Sequence, residues 1–459
     1  MNISKQIVDK YNIPVPRYTS YPPANHFRDD IKEKDYLDLI QKSNNGKPEQ
    51  LSFYIHIPFC KKICFYCGCN TNPMLNEKAV DDYITAVKEE IEMVTSHINP
   101  NRLLSQIHFG GGTPNAISSK YIIELKEMLA SKFNSIDQPE IAIECNPANL
   151  DEKYIFDLKN AGFNRFSLGI QDFDTNILKD VNRDPSRIPV EMVIKLLKQG
   201  RKDVTVNLDF IYGLPGQTVE SFLKTIQQAV ELKPDRLVTF SYAHVPWIKK
   251  HQQILEKKGL PEPEQKMQMF LSAYELLKSA GYQSIGLDHY VLPQDELFKA
   301  LNNHQLHRNF QGYCTRRTTG QVYAFGVSAI SQMEDGYIQN TKNILAYIEN
   351  LRIKKLPAEK GYQLSNREKV IKEVINEIMC NQFLHWENMA NTFNLSVDKL
   401  KKIVGFNPDS FATFVDDGLV LMDGHELKIT EKGNLFIRNI AAAFDPEYKE
   451  QINKYSKSV

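Results

Sequence analysis

Apolar positions along this chain follow two alternating rhythms. Short β-branched and aromatic runs at 51–57, 106–110, 140–144, 165–170, 205–211 and 237–242 read as strands, and helical spacing fills the stretches between them. Between the first two runs, Val80, Tyr83, Ile84, Val87, Ile91 and Val94 recur three or four residues apart and define one apolar helical face. Segments 219–232 and 269–279 repeat that pattern. Strands alternating with helices imply parallel pairing through right-handed crossovers, hence an α/β barrel or a doubly wound sheet over residues 51–350. Residues 1–50 are rich in proline and charge, with one helical pattern at 30–41, and predict an N-terminal arm laid on the main domain. Beyond residue 350 helices dominate: 369–379 is amphipathic, 419–429 reads as a hairpin turning at Asp423-Gly424, and 431–444 as a helix. Helices around a small hairpin predict a winged-helix-like C-terminal domain over 351–459, acting as a lid on the mouth of the main domain.

Charge argues for no particular partner. The 56 basic and 56 acidic residues cancel, which gives no electrostatic argument for nucleic acid or an anionic membrane surface as a partner. No apolar run approaches the length of a membrane span, and the start Met1-Asn-Ile-Ser-Lys-Gln lacks a signal-peptide core. Seven cysteines, an odd number with four of them clustered, argue against a secreted disulfide scaffold. A monomer in a reducing cytoplasm is expected.

The cluster is the strongest chemical signal. Tyr54-Ile-His-Ile-Pro-Phe-Cys60-Lys-Lys-Ile-Cys64-Phe-Tyr-Cys67-Gly-Cys69 places four thiols within ten residues, directly after a strand. Such soft ligands select iron–sulfur clusters, zinc or copper(I) over hard ions. Structural zinc usually takes its ligands from two separated knuckles; no second knuckle is present, and Cys145, Cys314 and Cys380 are isolated. Three cysteines on one loop can hold a four-iron cluster with one iron left open for a substrate or cofactor. Spacing favours that cluster, with zinc and reactive thiols as the alternatives. In a parallel α/β fold, reactive groups collect at the C-terminal ends of strands. The cysteine loop, Gly110-Gly111-Gly112-Thr113, Glu144, Gln171, Asp209 and Ala243 all fall at or near the ends of successive predicted strands. The triple glycine allows close backbone approach to a ligand, or simply makes a tight turn.

Cys-x3-Cys-x2-Cys after a strand resembles the radical S-adenosylmethionine superfamily. The longer string through Cys69 is similar, more narrowly, to the oxygen-independent coproporphyrinogen III dehydrogenase family. The likeness continues in order through Arg17-Tyr-Thr-Ser-Tyr-Pro22, His108-Phe-Gly-Gly-Gly-Thr-Pro114, Gly169-Ile-Gln-Asp-Phe173, Val181-Asn-Arg183, Asp209-Phe-Ile-Tyr-Gly-Leu-Pro215, Tyr242-Ala-His244, His307-Arg-Asn-Phe-Gln-Gly-Tyr313, Gly326-Val-Ser-Ala-Ile-Ser331 and Ile437-Arg-Asn-Ile440.

The resemblance implies a partial six-stranded (β/α) barrel and removal of two propionate carboxyl groups from coproporphyrinogen III, leaving vinyl groups. The hydrogen to be removed sits on an unactivated carbon, too weakly acidic for a side-chain base, and a carbon radical can take it as an atom. The implied cofactors are one [4Fe-4S] cluster and S-adenosylmethionine, two molecules of it, with a flavodoxin- or ferredoxin-type electron donor. Cys60, Cys64 and Cys67 would ligate the cluster, and Cys69 would be a functional residue beside it. Tyr54, Gly111, Glu144 and Ile330 match the first cofactor site. Tyr66, Gly112, Thr113, Gln171, Arg183, Asp209 and Ala243 match the second. Arg17, His307 and Arg308 would bind propionates, with Phe310 and Gln311 near the reaction. A haem-binding chaperone on the same scaffold is the alternative; such relatives usually lack the Cys69 equivalent and the Arg17 arm. One segment departs from the family: Arg316 and Arg317 stand where an acidic segment is expected.

Overall fold

The computed structural model describes residues 4–46, 49–74, 76–315 and 320–448. Six strands form its centre: β1 (Gln50–Ile57), β2 (Leu103–Gly111), β3 (Ser135–Cys145), β4 (Arg165–Gln171), β5 (Thr205–Tyr212) and β6 (Arg236–Ser241), each parallel to the next. All six coincide with the apolar runs of the sequence. Strands buried on both faces need continuous apolar residues, which is the signal those runs carry.

The sheet then grows at both edges. Past β6 it adds two short antiparallel strands, β7 (Gln283–Gly286) and β8 (His289–Val291), with β8 next to β6; on the other side β9 (Tyr323–Phe325) pairs parallel to β1. The nine strands do not close, since β9 and β7 remain the two edges. The result is a partial barrel, with α1 (Glu77–Thr95), α2 (Ser119–Ala130), α3 (Glu152–Asn160), α4 (Val190–Lys198) and α5 (Val219–Glu231) in the crossovers.

The predicted apolar face of α1 is buried in full, and so is Glu90 on the same helix. Its carboxylate accepts the Gly326 N–H (2.8 Å), the Tyr347 hydroxyl (2.6 Å) and the Asn340 amide (2.6 Å), which ties the helix to the turn after β9. Three donors on one carboxylate make this burial tolerable.

A second core joins the two ends of the chain. Tyr11, Val15, Tyr18 and Tyr21 of the arm pack with Ile371, Val374, Ile437, Ile440 and Phe444. The C-terminal part holds a three-stranded antiparallel sheet, Phe383–His385, Val420–Met422 and Glu426–Ile429, surrounded by short helices, as a winged-helix-like unit requires. The helix expected over 431–444 is two pieces, Glu431–Asn434 and Ile437–Ala442. Gly433 explains the tight packing there: a Cβ on it would stand 1.9 Å from the Leu419 carbonyl oxygen. Among the described residues no helix is long and apolar enough to cross a membrane.

Candidate active site

The cysteine loop leaves the C-terminal end of β1 and is fastened at several points. Pro58 and Cys60 accept the Asn72 and Met74 N–H groups (2.8 and 3.0 Å), and Phe65 and Ile63 bond to Val181 and Asn182 (2.9 and 2.8 Å). From the far side, Lys249, His251 and Gln252 reach the carbonyls of Cys69, Cys67 and Tyr66 at 2.6, 2.9 and 2.9 Å. A loop this well bonded presents its thiols from a fixed frame.

Against it lies the triple glycine at the end of β2. Each glycine meets a different neighbour: a Cβ on Gly110 would lie 2.7 Å from Glu144 Oε1 and 2.9 Å from the Tyr54 ring, one on Gly111 2.8 Å from the His56 ring, and one on Gly112 2.5 Å from the Pro58 oxygen. Gly111 has φ +121°, a region open to glycine. The run is therefore a packing surface for the cysteine loop and for Glu144, more than a turn. Cys60 Sγ sits 3.3 Å from Thr113 Oγ1, and His108 Nε2 is 3.0 Å from Glu144 Oε1.

Arg183 spans the loop and the sheet. It donates to Tyr66 Oη (3.1 Å), to Cys64 Sγ (3.6 Å) and to the Gly169 carbonyl. Next to Gly169 in register is Asp209, which accepts from Ser167 and Asn207, both at 2.7 Å. Burial pushes its carboxyl up to about 6, against those two hydrogen bonds. Cys67 is drawn down to about 6 chiefly by its hydrogen bond with Cys69, against burial and with help from Lys249 and His251; the same contact pushes Cys69 well up.

These groups open onto one cavity of about 510 Å³. Cys60, Cys64, Cys67, Cys69, Tyr66, Gly111, Gly112, Thr113, Glu144, Gln171, Arg183, Asp209, Ala243, Arg17 and Gln311 all line it, so most of the sequence-derived candidates converge. Tyr54 is one neighbour back, its hydroxyl 3.2 Å from His56 Nδ1. Arg308 stands behind Arg17 and donates to its carbonyl at 2.8 Å. His307 belongs to the hairpin of Leu306–Asn309 and Gly312–Thr315. Phe310 and Ile330 pack instead into a small apolar group with Phe27, Tyr337 and Leu364. Arg316 and Arg317 lie outside the described residues.

Sequence reasoning missed the opposite wall. His289 lines the cavity, its Nδ1 2.9 Å from Asp288 Oδ1, and Arg17 reaches Asp288 Oδ2 at 3.2 Å. Arg165 and Arg236 form the floor; both open buried strands, and a charge at the head of an apolar run was the available signal.

The donor set fits an iron–sulfur cluster and a polar cofactor. Three thiols come from one loop, and the glycine cradle leaves no room for a Cβ. Gln171 Oε1, Asn207 Oδ1 and Gln311 Oε1 are buried acceptors without a protein partner among cavity residues, as expected of atoms that face a ligand or water. Among the described residues no three His, Cys, Asp or Glu side chains are placed to hold a single ion.

Comparison with known proteins agrees. The radical SAM superfamily model matches residues 54–229. The chain is 37% identical over 468 residues to the oxygen-independent coproporphyrinogen III oxidase of Synechocystis sp., covering 100% of this chain and 98% of the relative. It is 36% identical over 463 residues to that of Escherichia coli K12, covering 99% and 98%. The solved structure of coproporphyrinogen III oxidase from Escherichia coli, a radical SAM enzyme, matches with a TM-score of 0.88 at 32% identity, over 97% of this chain and 99% of that one. With relatives this similar along their full length, the chain belongs to the oxygen-independent coproporphyrinogen III oxidase family of radical SAM enzymes.

Proposed function

We propose that this protein performs the oxygen-independent conversion of coproporphyrinogen III to protoporphyrinogen IX, in which each of two propionate chains loses a hydrogen atom to a cofactor-derived radical, its carboxyl group as carbon dioxide and one electron to an external acceptor. The observation that carries this reading is a single cavity with the cysteine loop on one wall and Arg17, backed by Arg308, on another. When bound, the cluster and S-adenosylmethionine supply a carbon-centred radical able to abstract a hydrogen atom from the propionate chain.

The chain's own residues do the rest. Cys60, Cys64 and Cys67 would hold the cluster. Tyr54, Gly111, Glu144 and Ile330 would hold one S-adenosylmethionine; Tyr66, Gly112, Thr113, Gln171, Arg183, Asp209 and Ala243 would hold a second molecule. Arg183 pairs with a carboxylate and Asp209 accepts from amine or hydroxyl donors. Arg17, His307 and Arg308 bind propionates, the planar guanidinium matching a carboxylate in two hydrogen bonds. Phe310 backs the wall that Gln311 presents. The arm (1–50) and the C-terminal lid (351–459) close the sheet domain over the substrate and exclude water. The enzyme works as a monomer in the cytoplasm and draws its electron from a flavodoxin- or ferredoxin-type donor.

Anoxic incubation of cluster-loaded protein with coproporphyrinogen III, S-adenosylmethionine and dithionite tests the proposal. Protoporphyrinogen IX and 5′-deoxyadenosine are expected. No vinyl product, together with stoichiometric haem capture, would identify a haem chaperone instead.

A further inference from the structure

The loop from Ala243 to Gln252 carries two large apolar side chains into solvent: Trp247 is 75% exposed and Ile248 68%. A tryptophan left open on a surface is an interaction signal, because its burial contributes heavily at protein interfaces. Cations surround it. Lys249 and Lys250 follow directly, and Lys61 and Lys62 lie in the cysteine loop that this segment touches. Between Cys60 and Asn76, and again between Ala243 and Leu255, the sequence contains no Asp or Glu. Two acids reach in from outside these stretches: Asp184 pairs with Lys62 and Glu256 with His244, each at 2.7 Å.

This patch is in direct bonded contact with the thiol-bearing loop. Lys249 Nζ donates to the Cys69 carbonyl at 2.6 Å, and His251 reaches that of Cys67 at 2.9 Å. Cys69 itself is exposed. A protein seated on Trp247 would thus rest on a segment hydrogen-bonded to the cluster-holding loop.

We propose that Lys61, Lys62, Trp247, Ile248, Lys249 and Lys250 form the docking face for a small acidic one-electron carrier protein. The inference rests on the cluster assignment of the proposed function. An apolar centre with a basic rim suits a transient redox encounter: the rim speeds and orients association, and the small apolar area keeps release fast. At the contact the reduced carrier loses one electron to the thiolate-held centre and leaves oxidised; no covalent bond forms or breaks and no proton crosses.

The test uses the cluster-loaded protein and its Trp247→Ser and Lys250→Glu variants, with flavodoxin as the acidic carrier. Binding of oxidised flavodoxin, followed by calorimetry, should weaken about tenfold in the combined variant, and the wild-type affinity should fall with added salt. Reaction driven by reduced flavodoxin should slow in parallel, while 5′-deoxyadenosine formation driven by dithionite and the KM for coproporphyrinogen III stay unchanged. Unchanged flavodoxin affinity would overturn the proposal. Equal losses with dithionite would overturn it too, and a raised KM for coproporphyrinogen III would assign the face to substrate. Absence of vinyl product with flavodoxin binding still weakened would reject the oxidase reading alone.

Discussion

Gly112 and Pro58 are in backbone contact so close that a Cβ on the glycine would stand 2.5 Å from the proline carbonyl oxygen, with Cys60 Sγ next at 3.2 Å. That oxygen already accepts the Asn72 N–H at 2.8 Å, so the root of the cysteine loop cannot retreat without losing a hydrogen bond. Gly112→Ala should therefore move Cys60 and not the distant core. The expected outcome is a folded protein, destabilised by about 1–3 kcal/mol, that reconstitutes with less iron and sulfide than wild type. Iron analysis beside circular dichroism checks it; a full iron load would show the loop base to be pliant.

The four clustered thiols should separate by role. Cys64→Ala is expected to abolish the brown cluster chromophore and 5′-deoxyadenosine formation together, since no other cysteine on the loop can take its place without shifting the frame that Val181 and Asn182 hold. Cys69→Ser should keep the absorption and lower product formation. Cys69 is the exposed thiol and shares its hydrogen with Cys67, so the serine preserves a donor at that position. Cluster absorption and product yield, measured on the same samples, distinguish the two. An unaltered rate in Cys69→Ser would leave that thiol a packing role.

Much of this site was legible before any fold was known, for a physical reason. Parallel strands are buried on both faces and announce themselves as apolar runs, and their C-terminal ends locate the chemistry; hence the convergence of Glu144, Gln171, Asp209 and the cysteines. What stayed hidden depends on tertiary pairing. β9 is three residues long and gains its place only through β1. Asp288 lies in the turn before a three-residue strand that His289 opens, too short for any periodicity to reveal which way they face. A block gives adjacency along the chain and not neighbours in space, so the packing of Phe310 and Ile330 beside Tyr337 and Phe27 could not be read from it.

The arm that brings Arg17 to the cavity is held by backbone carbonyls. Arg438 donates to Pro16 (3.1 Å) and to Val15, Asn439 to Tyr11 (2.9 Å), and Arg308 to Arg17 itself (2.8 Å). Burial, and the neighbouring Arg17 and Arg308, pull Arg438 down to about 9. Arg438→Met keeps the volume but strips the Val15 and Pro16 carbonyls of this donor, a loss of roughly 2–4 kcal/mol. Faster proteolytic cleavage within the arm and a raised KM for coproporphyrinogen III are expected, with iron content unchanged. Iron loss in step with the KM change would mean that the substitution unsettles the whole fold.

Glu90 gives the molecule a pH dependence of defined sign. It is completely buried, and burial pushes its carboxyl up to about 7 in spite of donors from Tyr347, Gly326 and Asn340, against an ordinary value of 4.5. The folded state therefore keeps a proton that the unfolded chain has already released between pH 4.5 and about 7. Within that window stability falls as pH rises; the contribution is complete below the unfolded value and gone above the folded one. The span corresponds to roughly 3 kcal/mol. Glu90→Gln, which cannot ionise, should lose this slope while retaining most of the hydrogen bonds to the turn at Gly326. Urea midpoints measured across the window check it: the wild type should weaken relative to the variant as pH rises, and a constant difference would mean that the carboxylate is ionised in the folded protein throughout.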